Sequence, residues 1–249
     1  MTDAPLLHLD VDPPLATVTL ADTAGRNRIN EALQGELRRA LARAAADQDV
    51  RAVVLRGLPD VFCAGGSQEE LLGRTGRDAF DCREFVRAPL DCPLPVVAAV
   101  QGHAIGGGLL LALYADLAVF SDRSSYAANF MALGFTPYLG TTHVFPAKLG
   151  TLLAHEMLYT ARPYRGRELA ARNPGLRVVA HDAVPGTARQ TAQRIADAPR
   201  RSLELLKQRL TQDLREGSAA AFTAERAAHL ETLASAEARA RIARRYSTA

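Results

Sequence analysis

The chain opens with two short segments in which apolar and polar residues largely alternate, at residues 6–11 and 16–20. The Asp12-Pro13-Pro14 turn between them completes the pattern of a β-hairpin. Asn30 then precedes a stretch to about residue 47 in which apolar residues keep helical spacing, namely Leu33, Leu37, Leu41 and Ala44. This stretch predicts a helix that begins just after Asn30.

Short apolar runs follow at residues 52–55, 95–100 and 116–120, and each predicts a buried strand. Helices are predicted around these runs, at residues 69–72, 78–89 and 106–115. Strands that alternate with helices favour an α/β core with parallel pairing.

The pattern becomes mostly helical after Lys148. Helices are predicted at residues 182–198, 200–214 and 219–245, separated by Pro199 and by Gly217-Ser218. We therefore expect a core over residues 1–190 and a C-terminal helical region over residues 191–249. This region would cover the core or pack on a neighbouring subunit.

Composition narrows the class of protein. The 249 residues carry a net charge of +3, with 30 basic residues scattered among 27 acidic ones, whereas a nucleic-acid-binding protein would more often concentrate its basic residues. No apolar run approaches the length of a membrane span. An odd number of cysteines without an export signal points to a reducing, cytoplasmic location, and no cysteine or histidine cluster has metal-ligand spacing.

Two glycine-rich segments are the strongest candidates for chemistry. They run over residues 63–67 (Cys-Ala-Gly-Gly-Ser) and 103–108 (His-Ala-Ile-Gly-Gly-Gly), and each links a predicted strand to a predicted helix. Glycine has no Cβ, so backbone N–H groups in such loops can come close to a ligand. If the loops converge, they can hold a carbonyl oxygen that becomes negative during a reaction.

The order and spacing of several motifs resemble the crotonase (enoyl-CoA hydratase/isomerase) superfamily, over roughly residues 8–245. The motifs are residues 60–66, 95–103, 106–108 and 115–116. The resemblance implies a spiral of ββα units with a C-terminal helical subdomain, assembled as trimers or pairs of trimers. It also implies that the backbone N–H groups of Gly66 and Gly107 form an oxyanion hole.

The resemblance argues against ordinary hydration. Hydratases of this superfamily use two glutamates to activate and deliver water, and the matching positions here are Leu110 and Phe130. Acid–base chemistry on water needs a titratable group within reach, and neither side chain supplies one. Residues 65–72, 101–103 and 126–137 instead resemble the decarboxylating members of polyketide β-branching cassettes. Those enzymes release carbon dioxide from a 3-methylglutaconyl group on an acyl carrier protein.

This narrower resemblance implies roles for further residues. His229 would donate a proton to the dienolate left by decarboxylation, and Leu110 and Phe130 would form an apolar lining. His103, Tyr126, Asn129 and Tyr138 would contact substrate. A structural role is the alternative for these polar side chains. His229 can be a surface histidine, His103 a hydrogen-bonded one, and Tyr126 a buried tyrosine with a satisfied hydroxyl.

The sequence also departs from this subgroup, which places a lysine in the loop after residues 65–72. Residues 73–85 contain no lysine, and Arg74 and Arg77 are the nearest cations. Either arginine could pair with the substrate carboxylate or simply be solvated.

An acyl carrier protein is the expected partner, and its phosphopantetheine arm the only prosthetic group needed. Because carrier proteins are acidic, they would dock on basic residues such as Arg241, Arg244 and Arg245, or Arg83 and Arg87. Two other functions stay open. An enoyl thioester isomerase would use the same oxyanion hole with a single base, and a non-catalytic protein would only bind the thioester.

Overall fold

The computed structural model describes residues 5–73 and 81–247. Its strands are β1 (Leu7–Asp12), β2 (Leu15–Leu20), β3 (Ala52–Arg56), β4 (Val61–Cys63), β5 (Val96–Val100), β6 (His103–Ile105), β7 (Leu117–Ser121), β8 (Ser125–Ala127), β9 (Tyr164–Arg165) and β10 (Arg177–Val179). Its helices are α1 (Glu31–Ala46), α2 (Gln68–Gly73), α3 (Arg83–Asp91), α4 (Gly107–Leu113), α5 (Thr141–Leu149), α6 (Thr151–Thr160), α7 (Gly166–Arg172), α8 (Val184–Ala196), α9 (Arg200–Leu210), α10 (Gln212–Leu233) and α11 (Ala236–Ser247).

A six-stranded sheet forms the centre, in the order β1-β2-β3-β5-β7-β10. The β1 and β2 strands pair antiparallel, which confirms the predicted hairpin. The remaining pairs are parallel, as the alternation of strands and helices predicted. The central strands β3 and β5 are apolar on both faces because both faces of the sheet are covered.

A second sheet of four strands runs in the order β4-β6-β8-β9. Successive strands alternate between the two sheets: β3, β5 and β7 join the large sheet, while β4, β6 and β8 join the small one. Helices follow each of these pairs along the chain. This repeat of strand, strand and helix confirms the expected crotonase-type spiral.

Local sequence explains how the first helix begins. The Asn30 side chain accepts a hydrogen bond from the Leu33 N–H at 2.8 Å, which satisfies one of the unpaired donors at the start of α1. Leu33, Leu37 and Leu41 then face the main core. The prediction of this helix from apolar spacing is confirmed.

Helix α8 covers the other face of the large sheet. Its buried small side chains recur every four residues (Val184, Ala188, Ala192 and Ala196) and pack on sheet residues such as Val54 and Val97. The predicted boundary between residues 190 and 191 falls inside this helix, which packs on the core. The C-terminal helices that follow are α9, α10 and α11.

The predicted helix break at Gly217-Ser218 is wrong, because both residues lie within α10. Glycine costs about 1 kcal/mol in a helix, but here it permits close packing. A Cβ on Gly217 would lie 2.2 Å from the His143 ring of α5. The break between α9 and α10 comes instead at Thr211. A further break comes at Ser235, whose Oγ accepts a hydrogen bond from the Ala238 N–H at 3.1 Å at the start of α11.

Within the described ranges, no helix combines the length and apolar character that crossing a bilayer requires.

Candidate active site

The two glycine-rich loops border one cavity of about 110 Å³, which α10 and α11 help to enclose. The apolar part of its lining includes Ile29, Leu71, Leu133, Phe135, Leu139, Leu230 and Leu233. The cavity brings together six of the predicted site residues: Gly66, Gly107, Asn129, Phe130, Tyr138 and His229. These residues come from five separate parts of the chain, so the site depends on the fold.

The small sheet positions both loops. Strands β4 and β6 pair in parallel, and each leads into one glycine loop, so both loops leave the same edge. A Cβ on Gly65 would lie 2.7 Å from the carbonyl oxygen of Ile105 and 3.9 Å from the nitrogen of Gly107. Gly65 also has a φ of +83°, which side chains rarely adopt. Glycine at this position therefore permits the close approach of the two loops.

The hydrogen bonds of the loops indicate where their N–H groups point. Gly66 forms an isolated parallel bridge with Ile29, in which the Ile29 N–H donates to the carbonyl of Gly65 at 2.8 Å. The N–H and C=O of Gly66 therefore face away from Ile29, toward the side where the Tyr246 hydroxyl donates to the Gly66 carbonyl. Gly107 is the first residue of α4, and N–H groups of a first helical turn have no acceptor within the helix.

His229 lies on α10 and is half-buried against the opposite wall. Its Nδ1 is 2.8 Å from the Thr136 carbonyl oxygen. A carbonyl only accepts, so Nδ1 carries a proton and Nε2 is left for other chemistry. Burial lowers the pKa of His229, and the hydrogen bond to Thr136 opposes this shift. The imidazole is accordingly neutral near pH 7.

Aromatic rings fix the orientation of His229. The Tyr138 ring stacks on it with centroids 4.8 Å apart, and the Phe135 ring meets it edge-on at 5.4 Å. Burial raises the pKa of Tyr138 to about 12, so its hydroxyl stays protonated. Phe130 packs edge-on against Phe135 and is also part of the lining. One wall of the cavity is therefore aromatic and contains a single titratable imidazole among these rings.

Asn129 lies next to the second glycine loop. Its Oδ1 would be 2.8 Å from a Cβ on Gly106, whose φ is +53°. The Gly106 N–H donates to the Ala127 carbonyl at 2.8 Å, so this donor is already used.

Three predicted site residues lie outside the lining of this cavity. Leu110 is fully buried in the core on α4. Tyr126 is also fully buried, and its hydroxyl donates to the Val100 carbonyl at 2.8 Å while accepting from the Ser121 N–H at 2.8 Å. Its hydrogen-bonding capacity is therefore used in joining strands.

The third of these residues, His103, lines a neighbouring cavity of about 510 Å³. Its Nδ1 accepts from the Ser125 N–H at 2.9 Å, and burial lowers its pKa. Arg26, Arg28 and Arg245 line the same cavity. The two cavities share Ala64, Asn129 and Tyr246, so they meet beside Gly66.

Among the residues that the sequence analysis did not propose for the site are two lining residues and a buried support on α10 and α11. Tyr246 and Arg226 line the cavity. Glu225 is buried and accepts hydrogen bonds from the Gly140 N–H at 2.8 Å and from the Thr142 N–H at 2.7 Å. These bonds fasten α10 to the segment that holds Tyr138. Helical spacing could have shown that Glu225 and Arg226 lie near His229, but not which surface they meet.

Arg74 and Arg77, the predicted cations near the site, lie outside the described residues.

Comparison with known proteins identifies the family. The sequence profile of the enoyl-CoA hydratase/isomerase family matches residues 12–246, and the chain belongs to this family. A probable enoyl-CoA hydratase of Mycobacterium tuberculosis, EchA14, is 34% identical over 196 residues, covering 77% of this chain and 76% of that protein. The resemblance stated from the motifs is confirmed.

Relatives with decarboxylase names match over nearly the full length. The bacillaene synthase decarboxylase PksI of Bacillus subtilis is 35% identical over 243 residues, which cover 97% of this chain and 98% of that protein. The ECH2 decarboxylase domain of CurF from Lyngbya majuscula has a TM-score of 0.89 at 37% identity, covering 96% of this chain and 99% of that chain. A structure described with a dehydratase/decarboxylase couple of polyketide β-branching has a TM-score of 0.90 at 35% identity, covering 96% of this chain and 98% of that chain.

Proposed function

We propose that this chain is a decarboxylase that acts on a 3-methylglutaconyl-type thioester carried by an acyl carrier protein during polyketide β-branching. The observation that carries the proposal is the cavity where two glycine loops face an apolar wall with one histidine. Leu110 and Phe130 occupy the positions where hydratases need acids. The full-length similarity to named decarboxylases supports the same reaction.

In the proposed reaction, the bond between the γ carbon and the carboxylate breaks and carbon dioxide leaves. The electron pair of that bond moves into the thioester and forms a dienolate. The N–H groups of Gly66 and Gly107 stabilise the negative charge on the thioester oxygen. Removal of one such donor typically costs about 10²–10³ in rate.

The apolar wall favours the loss of carbon dioxide. Phe130, Leu133 and Leu139 offer no hydrogen bonds to a carboxylate. A charged group is less stable in such surroundings than a neutral product. The wall therefore disfavours the substrate carboxylate more than carbon dioxide.

His229 supplies the proton that completes the reaction. Its Nδ1–H is held by the Thr136 carbonyl, so Nε2 is the nitrogen that carries a proton to carbon. A substrate carboxylate close to the ring favours the imidazolium form before the bond breaks. Protonation at the γ carbon gives the α,β-alkene, and protonation at the α carbon gives the β,γ-alkene.

The neighbouring cavity suits the arm that carries the substrate. Arg26, Arg28 and Arg245 provide positive charge for the phosphate of phosphopantetheine. The cavity meets the reaction cavity at Ala64 and Tyr246, beside the carbonyl-binding glycine. No cofactor besides this arm enters the proposed mechanism. Docking of an acidic carrier protein on this arginine-rich face should weaken as salt rises.

We also propose self-association as a trimer or hexamer. Helix α6 exposes Leu152 and Tyr159, which are 84% and 81% accessible in the single chain. Exposed apolar side chains of this size are typical of interfaces. We further propose that the protein is cytoplasmic, as its cysteine content led us to expect.

An enoyl thioester isomerase is a second candidate, because a neutral His229 can also accept a proton at Nε2. Retention of both glycine loops makes a non-catalytic thioester-binding protein less consistent with the site. A single experiment separates these functions. The chain is incubated with 3-methylglutaconyl acyl carrier protein, and the acyl group is analysed by mass spectrometry.

Loss of the mass of carbon dioxide supports the decarboxylase. A shifted alkene at unchanged mass would favour the isomerase, and an unchanged bound thioester would favour the binding protein. An incubation without the protein provides the background, and His229→Ala, which lacks the proposed proton donor, should release carbon dioxide more slowly than the wild-type chain.

A further inference from the structure

The reaction cavity contains one arginine among its described lining residues, and lysine is absent from that part of the lining. This residue is Arg226, on α10. It precedes His229 by three positions, so both side chains leave the same face of the helix. The Arg226 guanidinium is also close enough to the Tyr138 hydroxyl to interact with it. Arg226, Tyr138 and His229 therefore form one cluster on the wall opposite the glycine loops.

The other charged residues in the described lining of the cavity do not offer a free cation, which distinguishes Arg226. Glu70 and Asp81 also line it and are both acidic. Asp81 has an arginine of its own, since its Oδ1 accepts from the Arg83 N–H at 2.9 Å and its Oδ2 is 3.6 Å from Arg83 Nη2. Arg83 additionally lies over the Phe222 ring at 4.4 Å. Because Arg83 is already engaged with Asp81, a carboxylated acyl group that enters the cavity needs a separate cation.

Arg226 has the chemistry to be that cation. Guanidinium carries five N–H donors in a planar fork that matches a carboxylate. Among residues 5–73 and 81–247, no carboxylate lies within ion-pair distance of Arg226. An arginine stays charged throughout the physiological range, so it can bind the carboxylate without competing with His229 for the proton.

We propose that Arg226, whose side chain is solvent-exposed, recognises the terminal carboxylate as the substrate enters and makes the cavity selective for acyl groups that carry one. The carboxylate leaves this ion pair for the apolar wall before carbon dioxide is lost. This inference rests on the proposed function and names the residue that recognises the group to be lost. While paired with Arg226, the carboxylate lies one helical turn from His229. Arg226 is a substrate-binding residue in this scheme, and the proton still comes from the imidazole.

The test is a binding measurement that needs no turnover. Two saturated phosphopantetheine thioesters, 3-methylglutaryl and 3-methylbutyryl, differ only in the terminal carboxylate, and neither can form a dienolate by losing carbon dioxide. Calorimetry gives the affinity of each for the wild-type chain and for Arg226→Gln. We expect Arg226→Gln to lose about 10-fold or more in affinity for the 3-methylglutaryl thioester, as for a hydrogen-bonded ion pair. Its affinity for the 3-methylbutyryl thioester should change by less than about twofold, since that ligand has no charge to pair.

Arg226→Lys keeps the charge without the fork and should lose affinity for the carboxylated ligand only, by a smaller factor. Arg239→Gln removes the same charge from an exposed position on α11 outside the cavity lining and should leave both affinities unchanged. Equal losses for both ligands, or no loss for either, would overturn the proposal. So would a wild-type chain that does not prefer the carboxylated thioester.

Failure of the proposed function has a different signature. A wild-type chain that releases no carbon dioxide from 3-methylglutaconyl acyl carrier protein is not a decarboxylase of that substrate, whatever Arg226 binds. Conversely, a wild-type chain that decarboxylates while Arg226→Gln shows no ligand-specific loss leaves the function intact and removes Arg226 from it.

Discussion

The Gly65→Ala substitution tests whether close approach of the two glycine loops underlies catalysis. The new Cβ would lie 2.7 Å from the Ile105 carbonyl oxygen, whereas ordinary contact begins near 3.4 Å. The Gly65 φ of +83° adds backbone strain for any residue with a Cβ. The loops can relieve the clash only by moving apart, which carries the adjacent Gly66 N–H away from Gly107.

The size of the effect follows from these distances. Left-handed backbone costs a residue with a Cβ about 1–2 kcal/mol, and overpacking costs about 1–3 kcal/mol more. For a chain of this length we expect the melting temperature to fall by roughly 10 °C. Misplacement of an oxyanion donor by several tenths of an ångström should lower kcat by about 10²-fold. KM should change less, because the donor acts mainly in the transition state.

Decarboxylation is followed by mass spectrometry at saturating substrate, and folding by thermal unfolding. Gly186→Ala is the matched control, since a Cβ there has no neighbour within 4 Å and the residue lies exposed on α8. Alanine should stabilise this helix by about 0.5–1 kcal/mol and leave kcat unchanged. A folded Gly65→Ala variant that retains kcat within about threefold would refute the role of loop approach.

Three further predictions concern single side chains. Glu225→Ala leaves the buried Gly140 N–H and the part-buried Thr142 N–H without their acceptor, so unfolding should require about 3 kcal/mol less free energy in urea titrations. Tyr126→Phe should cost about 1–3 kcal/mol of stability while KM stays at the wild-type value, and a large rise in KM would contradict its structural role. Since burial lowers the pKa of His229 and an acid must be protonated to act, kcat/KM should fall tenfold per pH unit above a pKa lying below 6.5. His229→Ala should abolish that dependence.

Several parts of the fold followed directly from local pattern. The hairpin, the Asn30 cap and the apolar strands β3 and β5 were predicted because periodicity and turn residues act over a few positions. The prediction of a helix break at Gly217 was wrong because it used only the local preference of glycine. Contact between His143 and Gly217 comes from α5 packing on α10, and such a contact outweighs the weak helical preference of glycine.

Some features of the candidate site could likewise be predicted from the sequence, and others could not. Motif spacing indicated the two glycine loops, and the resemblance to the decarboxylating subgroup indicated His229; the structure brings them to one cavity. Tyr126 belongs to the same motif as Asn129 and Phe130, but it lies in β8 with its hydroxyl in the core, whereas the other two residues follow the end of that strand. Sequence could not give this direction without knowledge of which face of β8 meets the cavity.

The sequence by itself determined the family, the ββα order and the glycines that allow backbone amides near a ligand. These properties depend on residue type and on neighbours along the chain. The tertiary structure alone decided that Arg226 and Tyr246 reach the cavity and that Leu110 does not. Those outcomes depend on how α10 and α11 pack over the loops, and packing between distant segments leaves no periodic signal in the chain.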